Sequence, residues 1–385
     1  MKYYVPMDMK VRSKSGLAAA YKLCPFAHFL ALLSGAVILL HLVTRGNREL
    51  MTKLASGLVR PLHGWLATLC AGYGGSVAEL VIYTFSVSIL IYTIFEAARI
   101  VRGGRRLVRA YRLVMSLLAL GLFVYALFCL MWGVYYYGDD FETASGLEAG
   151  AISTEQLETV TAYFAALSND FSRKVPRDGS GRYDGDRIEI LNRSSEVYDN
   201  IVEKFPCLAG PKVDVKPFAL SRLMSYTDFT GFFFPFTGEA NVNMDFPPAL
   251  FPSTVAHELA HQRGVAKEQE ANFAAVLASL AYGDADYCYS ACLLAYTHLG
   301  NALYRADREA WREIYESLDE NVMADFAAAR EYWAQFETPV QELTNSVYEG
   351  FLQSYGQKLG MKSYGACVDL LVNYYYGDAL EYLNE

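Results

Sequence analysis

Histidine is scarce in this chain, with six residues in 385. Cysteine is also scarce: none of the seven forms a CxxC pair or the spacing of a zinc finger, which argues against cysteine-based zinc modules. Cys288 and Cys292 lie one helical turn apart and are more simply explained as small core residues than as a second metal site. A disulfide is possible outside the cytoplasm, but the spacing does not require one.

Negative charge is nearly missing from the first 137 residues, which have a net charge of +11, whereas residues 138–385 have a net charge of −20. A strongly acidic second half argues against nucleic acid as a partner. It is typical of a folded body that faces solvent. The early acidic residues are Asp8, Glu49, Glu79 and Glu96.

Long apolar runs occupy much of the basic part. We expect membrane spans at about residues 26–43, 77–95 and 113–137, because each run is long enough to cross a bilayer. A cleaved signal peptide is the alternative for the first run, but a long polar lead and the lack of a small-residue cleavage site argue against it. Residues 47–70 are amphipathic and are expected to lie along the lipid bilayer surface.

The distribution of basic residues predicts the orientation. The N-terminal segment and the six-arginine loop at Arg99–Arg112 lie on the same side if there are three spans, and positive loops are usually cytoplasmic. Basic residues between the first two spans weaken this argument, although the six-arginine loop is denser. The prediction is a membrane domain at 1–137 and an extracytoplasmic domain at 138–385.

His257, Glu258 and His261 form an H-E-x-x-H motif in the second half. Residues four apart on an α-helix are separated by about 400°, so both imidazoles can point at one ion. Glu258 then lies beside the ion, where it can take a proton from metal-bound water. We expect Ser253 to cap this helix, and Gly264 to end it with a left-handed residue.

A second helix, expected from about Lys267, returns either Glu268 or Glu270 towards the ion. These two are about 200° apart on a helix, so a regular helix cannot aim both at one metal. The apolar periodicity that follows favours Glu270 as the more inward residue. Two imidazoles, one carboxylate and an open position are typical of a single catalytic Zn²⁺.

The sequence resembles a family of bacterial membrane proteins, catalogued as a domain of unknown function, that carry a predicted zinc-peptidase motif after several N-terminal spans. The most specific matches are HELAHQRG and EQEANF within His257–Phe273. Other matching stretches are Ser76–Leu80, Thr237–Asn243, Tyr289–Ser290 and Ser363–Leu371; the sequence departs from the family at Trp132–Tyr137. The resemblance implies a membrane-anchored, zincin-like metallopeptidase of the gluzincin type.

The resemblance to zincins also selects the third ligand. Glu268-Gln-Glu270-Ala-Asn272 is similar to their E-x-x-A-D, in which the first Glu binds zinc and the residue four later braces a ligand. Glu268 is therefore predicted to bind the ion, with Asn272 as an uncharged brace. Glu270 is predicted to lie outside the ligand set or in a salt bridge.

Substrate-binding residues are predicted from the neighbouring stretches. Alternation over Glu239–Met244 suits an exposed edge strand, and in zincins such an edge pairs with the substrate backbone. Its residues are Glu239, Ala240, Asn241, Val242 and Asn243. Candidate oxyanion donors, chosen because they lie in or near family-like stretches, are Tyr226, Tyr289 and Tyr364.

The expected fold is mainly α: three N-terminal transmembrane helices and a mostly helical, zincin-like α+β domain with a small sheet. The expected function is zinc-dependent hydrolysis of a peptide or protein substrate, with Glu258 as general base. The alternative is a membrane sensor whose zinc domain binds a ligand without turnover. Intramembrane proteolysis is excluded, because residues 273–282 supply only ten apolar residues, too few to span a bilayer.

Overall fold

A computed structural model describes residues 21–147, 149–355 and 364–384. The chain is mainly α-helical with one small sheet, as predicted. The helices of its first part are α1 (Pro25–Thr44), α2 (Arg48–Leu54), a π-helical turn (Ala55–Val59), α3 (Arg60–Ala71), α4 (Val77–Arg102), α5 (Arg106–Met131) and α6 (Phe141–Ser145).

The remaining elements follow in chain order: α7 (Thr154–Ser172), α8 (Arg187–Asn192), β1 (Lys216–Phe218), α9 (Ser221–Tyr226), β2 (Gly231–Phe234), β3 (Glu239–Asn243), α10 (Phe251–Gln262), α11 (Glu268–Tyr282), α12 (Ala285–Ala306), α13 (Arg308–Glu316), α14 (Glu320–Ala334), α15 (Pro339–Ser354) and α16 (Tyr364–Asn384). Residues 194–205 form a short 3₁₀ turn at Ser194–Glu196 followed by turns.

Helices α1, α4 and α5 are each long and apolar enough to cross a membrane. They indicate a protein inserted into a bilayer. The third helix begins at Arg106 and ends at Met131, and a 3₁₀ turn at Gly133–Tyr136 follows it, so the helix itself stops short of the aromatic residues at 135–137.

The described residues form two compact units. One contains the residues up to Asn47 together with Leu80–Gly133. The other contains Arg48–Glu79 together with the residues from Val134 onwards. The second unit therefore takes in a segment that precedes the predicted domain boundary at residue 137, and this segment includes most of the amphipathic stretch.

The segment from α2 to α3 is continuously helical and includes Pro61. Pro61 lies in the first turn of α3, where its fixed φ is compatible with a helix. A π-helical turn at Ala55–Val59 directly precedes α3. One face of the segment is buried in the second unit; its residues are Met51, Ala55, Val59, His63 and Ala67.

The sheet has the strand order β1-β3-β2, with β1 parallel and β2 antiparallel to β3. The prediction of an exposed edge strand at Glu239–Asn243 is wrong, because β3 is paired on both sides and all five of its residues are buried. The polar side chains of β3 form hydrogen bonds inside the protein, so polar residues in this strand do not indicate exposure to solvent. Within the described residues, β1 and β2 form the edges.

Two β3 side chains fix the start of α4. The Glu239 carboxylate accepts hydrogen bonds from the backbone of Val77 (3.1 Å) and Ala78 (2.7 Å), and Ser76 Oγ lies 2.6 Å from Asn241 Oδ1. A carboxylate at a helix N-terminus satisfies free N–H groups and complements the helix dipole. Glu239 and Asn241 therefore have a structural part in the second unit.

Candidate metal centre

Helix α10 carries the H-E-x-x-H motif and begins earlier than expected. It starts at Phe251, and Pro252 occupies its first turn, where the missing N–H costs no hydrogen bond. The prediction that Ser253 caps the helix is wrong. Ser253 lies inside the first turn, where its hydroxyl donates to Leu250 O (3.0 Å) and its N–H donates to Ser290 Oγ (2.9 Å).

Gly264 ends α10 as predicted, with a φ of 88°. Gly264 N–H donates to His261 O (2.9 Å), and Val265 N–H donates back to Ala260 O (3.1 Å). Since a left-handed residue reverses the chain here, α11 starts four residues later and runs back against α10. This turn brings Glu268 to the face of α10 that carries the two histidines.

His257, His261 and Glu268 converge on one point. Their candidate ligand atoms lie within 4.8 Å of one another. Glu268 Oε2 is 3.2 Å from His257 Nε2 and 3.6 Å from His261 Nε2. The two imidazole rings are nearly perpendicular, with centroids 4.6 Å apart. Helical spacing and the tight turn thus place two nitrogen donors and one oxygen donor around a common centre.

The other ring nitrogens of the histidines fix their tautomers. His261 Nδ1 lies 2.7 Å from the carbonyl oxygen of Val265, and His257 Nδ1 lies 2.8 Å from Asn272 Oδ1. Because both acceptors need a proton, Nδ1 is the donor in each ring, which leaves Nε2 as the atom that faces the centre and could bind an ion. Asn272 therefore has the contact expected of an uncharged brace.

Glu258 lies beside the three converging side chains. It is 3% exposed, and its Oε2 atom is buried without a hydrogen-bond partner among the described residues. Strand β2 passes close to it: a Cβ added at Gly231 would lie 2.5 Å from Glu258 Oε1. Glycine at 231 thus lets the strand backbone approach this carboxylate.

The pKa values reflect burial and the charges in the cluster. Burial raises the pKa of Glu258 to about 7, although His261 and His257 oppose this effect. For His261, burial acts to lower the pKa, but the Glu268 carboxylate outweighs it and raises the pKa to about 9. The pKa of Glu268 is held well below its usual value, because the histidines outweigh the effect of burial. A strongly coupled set of this kind is typical of functional sites.

Glu270 lies outside the cluster. Its Oε1 pairs with Lys267 Nζ (3.3 Å), and its Oε2 accepts a hydrogen bond from the backbone of Phe141 (2.9 Å). Lys267 also pairs with Asp140. Glu270 therefore fastens the start of α11 to the start of α6, in keeping with its expected salt-bridge part.

Two of the tyrosines predicted as oxyanion donors, Tyr289 and Tyr226, have described contacts elsewhere in the protein. Tyr289 is buried and its hydroxyl donates to Asp325 Oδ2 (2.5 Å), whereas Tyr226 is half-exposed and packs on Phe336. Neither of these contacts is with the three converging side chains. Tyr364 begins α16, but its side chain lies outside the described residues.

Tyr348, on α15, is the tyrosine that contacts the cluster. Its hydroxyl donates to Glu268 Oε1 (2.7 Å), opposite the oxygen that faces the histidines. Burial and the Glu268 charge hold the pKa of Tyr348 well above 10, so its phenol stays a donor at neutral pH. Sequence reasoning missed it because no local motif marks one tyrosine among 29, eighty residues from its partner.

A cavity of about 290 Å³ adjoins the cluster at His257, Glu268 and Asn272. Phe246, Leu250, Leu294 and Trp333 supply apolar side chains to its lining, and Thr230, Ser253 and Thr254 are the remaining lining residues. An apolar cleft with a few converging polar groups is the usual form of a small ligand site. The cavity thus offers room for a group next to the cluster.

The donor set fits a zinc ion. Zinc prefers imidazole nitrogen and carboxylate oxygen, and its histidine ligands commonly donate their other N–H to a carbonyl or amide oxygen. Both histidines have that arrangement here, and the hydrogen bond of Glu268 to Tyr348 leaves Oε2 directed at the centre. The three side chains could hold one ion and leave a position open.

Fold and site together define a membrane-inserted, mainly helical protein whose second compact unit carries a His-His-Glu cluster. A family model described as a protein of unknown function (DUF3810) matches residues 53–372, so the chain belongs to that family. No curated protein and no solved structure matches the chain.

Proposed function

We propose that the protein is a membrane-anchored, zinc-dependent metallopeptidase. The main supporting observation is the convergence of His257, His261 and Glu268 beside a buried carboxylate oxygen of Glu258 that has no hydrogen-bond partner among the described residues. A bound zinc ion would supply a Lewis acid that polarises the scissile carbonyl and acidifies water. A binding site alone has no need of an unpaired carboxylate next to the ligands, which favours hydrolysis over the sensor alternative.

In this mechanism Glu258 accepts a proton from the attacking water and passes it to the leaving amine. Its buried position excludes competing solvent, and neighbouring Gly231 leaves its carboxylate free of side-chain contact from β2. Asn272 and the carbonyl of Val265 hold the imidazoles in orientation, and Tyr348 holds Glu268. Preorganised side chains of this kind lower the cost of aligning the reacting groups.

We further propose that the peptide substrate lies along β2. This strand is an edge of the sheet within the described residues and passes beside Glu258, so an extended peptide added to it would come close to the catalytic groups. The proposal moves the substrate-binding strand from β3 to β2, because β3 already has a partner on both sides.

Removal of metal provides the first test. Purified full-length protein should contain one zinc ion per chain and cleave members of a mixed peptide library, with products identified by mass spectrometry. Chelation should abolish cleavage, and added zinc should restore it, because the three ligands lose their ion. Cleavage that continues in zinc-depleted protein would contradict the mechanism. Stoichiometric zinc without cleavage of any peptide would favour the sensor.

The proposed orientation places the second unit outside the cytoplasm. A reporter that is active only outside the cytoplasm should be active when fused after Glu385 and silent when inserted between Gly103 and Gly104, because the arginine-rich loop favours the cytoplasmic side. A reporter active only in the cytoplasm serves as the matched control and should give the opposite result. The reverse pattern would place the metal centre in the cytoplasm.

A further inference from the structure

The helical segment from the π-helical turn to α3 has a second, outward apolar face. Leu58 is 61% exposed, Leu62 37%, Trp65 61% and Leu69 65%. Their spacing of four, three and four residues puts all four on one side of a helix. The opposite side holds His63 and Ala67, which are buried in the second unit. The segment therefore carries two apolar faces, of which the fold covers one.

The buried face is firmly packed. The His63 ring lies edge-on to Phe233 of β2, with centroids 5.1 Å apart, and Arg60 Nη1 donates to Cys207 O (3.0 Å). A Cβ added at Gly238 would lie 2.3 Å from His63 O, so the helix backbone and the β2–β3 turn are in close contact. The helix cannot rotate to bury its outward face inside the protein, because rotation would break these contacts.

Charge is missing from this part of the chain. Residues 61–78 contain no Asp, Glu, Lys or Arg, although the helix in this stretch is exposed on one side. An exposed helix in water normally carries charged residues on its outer face. A contiguous apolar face on a folded body usually marks an interaction surface.

The position of this segment between two apolar helices indicates that lipid covers its outward face. The segment is bracketed by two membrane-crossing helices: α1 ends at Thr44 and α4 begins at Val77. Both ends of the segment are therefore tied to the same bilayer surface. Trp65 belongs to the residue type that is enriched at the membrane–water interface. Helices with an apolar outer face that lie in the interface bury that face among the lipid headgroups and upper acyl chains.

We propose that Leu58, Leu62, Trp65 and Leu69 form a lipid-docking face that holds the site-bearing unit on the bilayer surface. The opposite face of the same helix packs under β2 and the β2–β3 turn, so this helix joins the candidate metal unit directly to lipid. The docking face requires neither zinc nor hydrolysis, and its test is independent of the proposed function.

The experiment uses full-length protein in lipid nanodiscs and follows Trp65 fluorescence as the difference between parent and Trp65→Phe spectra. Lipids brominated near the headgroup should quench this component strongly, and lipids brominated near the chain ends should quench it weakly. A Leu58→Gln, Leu62→Gln, Leu69→Gln variant should lose most of the quenching. The matched control replaces exposed apolar residues elsewhere in the second unit, as Ile188→Gln, Leu223→Gln and Leu383→Gln, and should keep it.

Two outcomes would overturn the proposal. A Trp65 component that emits like a water-exposed indole and resists every brominated lipid would leave the face in solvent. A component shifted towards the blue, yet equally resistant to quenching, would mean that another protein or a second copy of this chain covers the face. If the triple variant were misfolded, quenching of Trp65 in the otherwise unchanged parent would still decide the question.

Discussion

Replacement of Glu258 by glutamine is expected to slow peptide hydrolysis by about 10²–10⁴-fold, the usual contribution of a general base. Glutamine has nearly the same shape, so it fits the same buried space beside Gly231. It cannot accept the proton that an attacking water must lose. Because Glu258 is not one of the three converging ligands, zinc content should remain at one ion per chain.

The measurement is the rate of cleavage of a peptide identified in the library, together with zinc content by atomic emission. Glu189→Gln is a suitable control, since that side chain is 69% exposed and pairs with Arg193, which is not a member of the cluster. An unchanged rate in the zinc-loaded Glu258→Gln protein would exclude Glu258 as the base. Loss of both zinc and rate would instead give Glu258 a part in holding the ion.

Replacement of Glu268 by alanine should abolish stoichiometric zinc binding, whereas Glu270→Ala should leave most of it. Glu268 supplies the only carboxylate oxygen in the converging group, 3.2 Å from His257 Nε2. Its loss should weaken zinc affinity by more than the roughly 10–100-fold that loss of a bracing residue costs. The comparison uses competition with a chromophoric chelator and needs no substrate.

Glu270→Ala should lower the free energy of unfolding. It leaves the buried N–H of Phe141 without its acceptor, at a cost of about 1–3 kcal/mol, and removes a partner of Lys267. Tyr348→Phe is a graded control: it keeps the Glu268 carboxylate and removes one hydrogen bond, so zinc affinity should fall only within the bracing range. Zinc lost in Glu270→Ala but retained in Glu268→Ala would reverse the assignment.

Local chemistry predicted the parts of the site that depend on neighbouring residues. The angle per residue of a helix puts His257 and His261 on one face, and a glycine turn brings the next helix back. The choice of Glu268 over Glu270 did not follow from periodicity, which favoured the face of α11 that carries Glu270. It came from similarity to a known motif. In the structure the first turn of α11 faces the histidines, and Glu268 Oε2 lies 3.2 Å from His257 Nε2.

Features that depend on distant pairing could not be predicted in the same way. Alternation along β3 marks a strand but does not say how many neighbours it has. The second neighbour, β1, is a three-residue strand that pairs in parallel from more than twenty positions earlier. Polar residues on β3 suggested exposure, yet Glu239 and Asn241 find their partners about 160 residues away. Only the tertiary structure shows such contacts.

The place of Arg48–Glu79 in the second unit has a consequence for synthesis. Ser76 leaves the ribosome 165 residues before Asn241, the residue it meets in the finished protein. At ordinary elongation rates that interval lasts roughly 10–30 s. During this time the buried face of α3 has no sheet to cover it, because β1, β2 and β3 all follow it in the chain. The site-bearing unit therefore completes its folding late, when the sheet packs onto a helix that was synthesised much earlier.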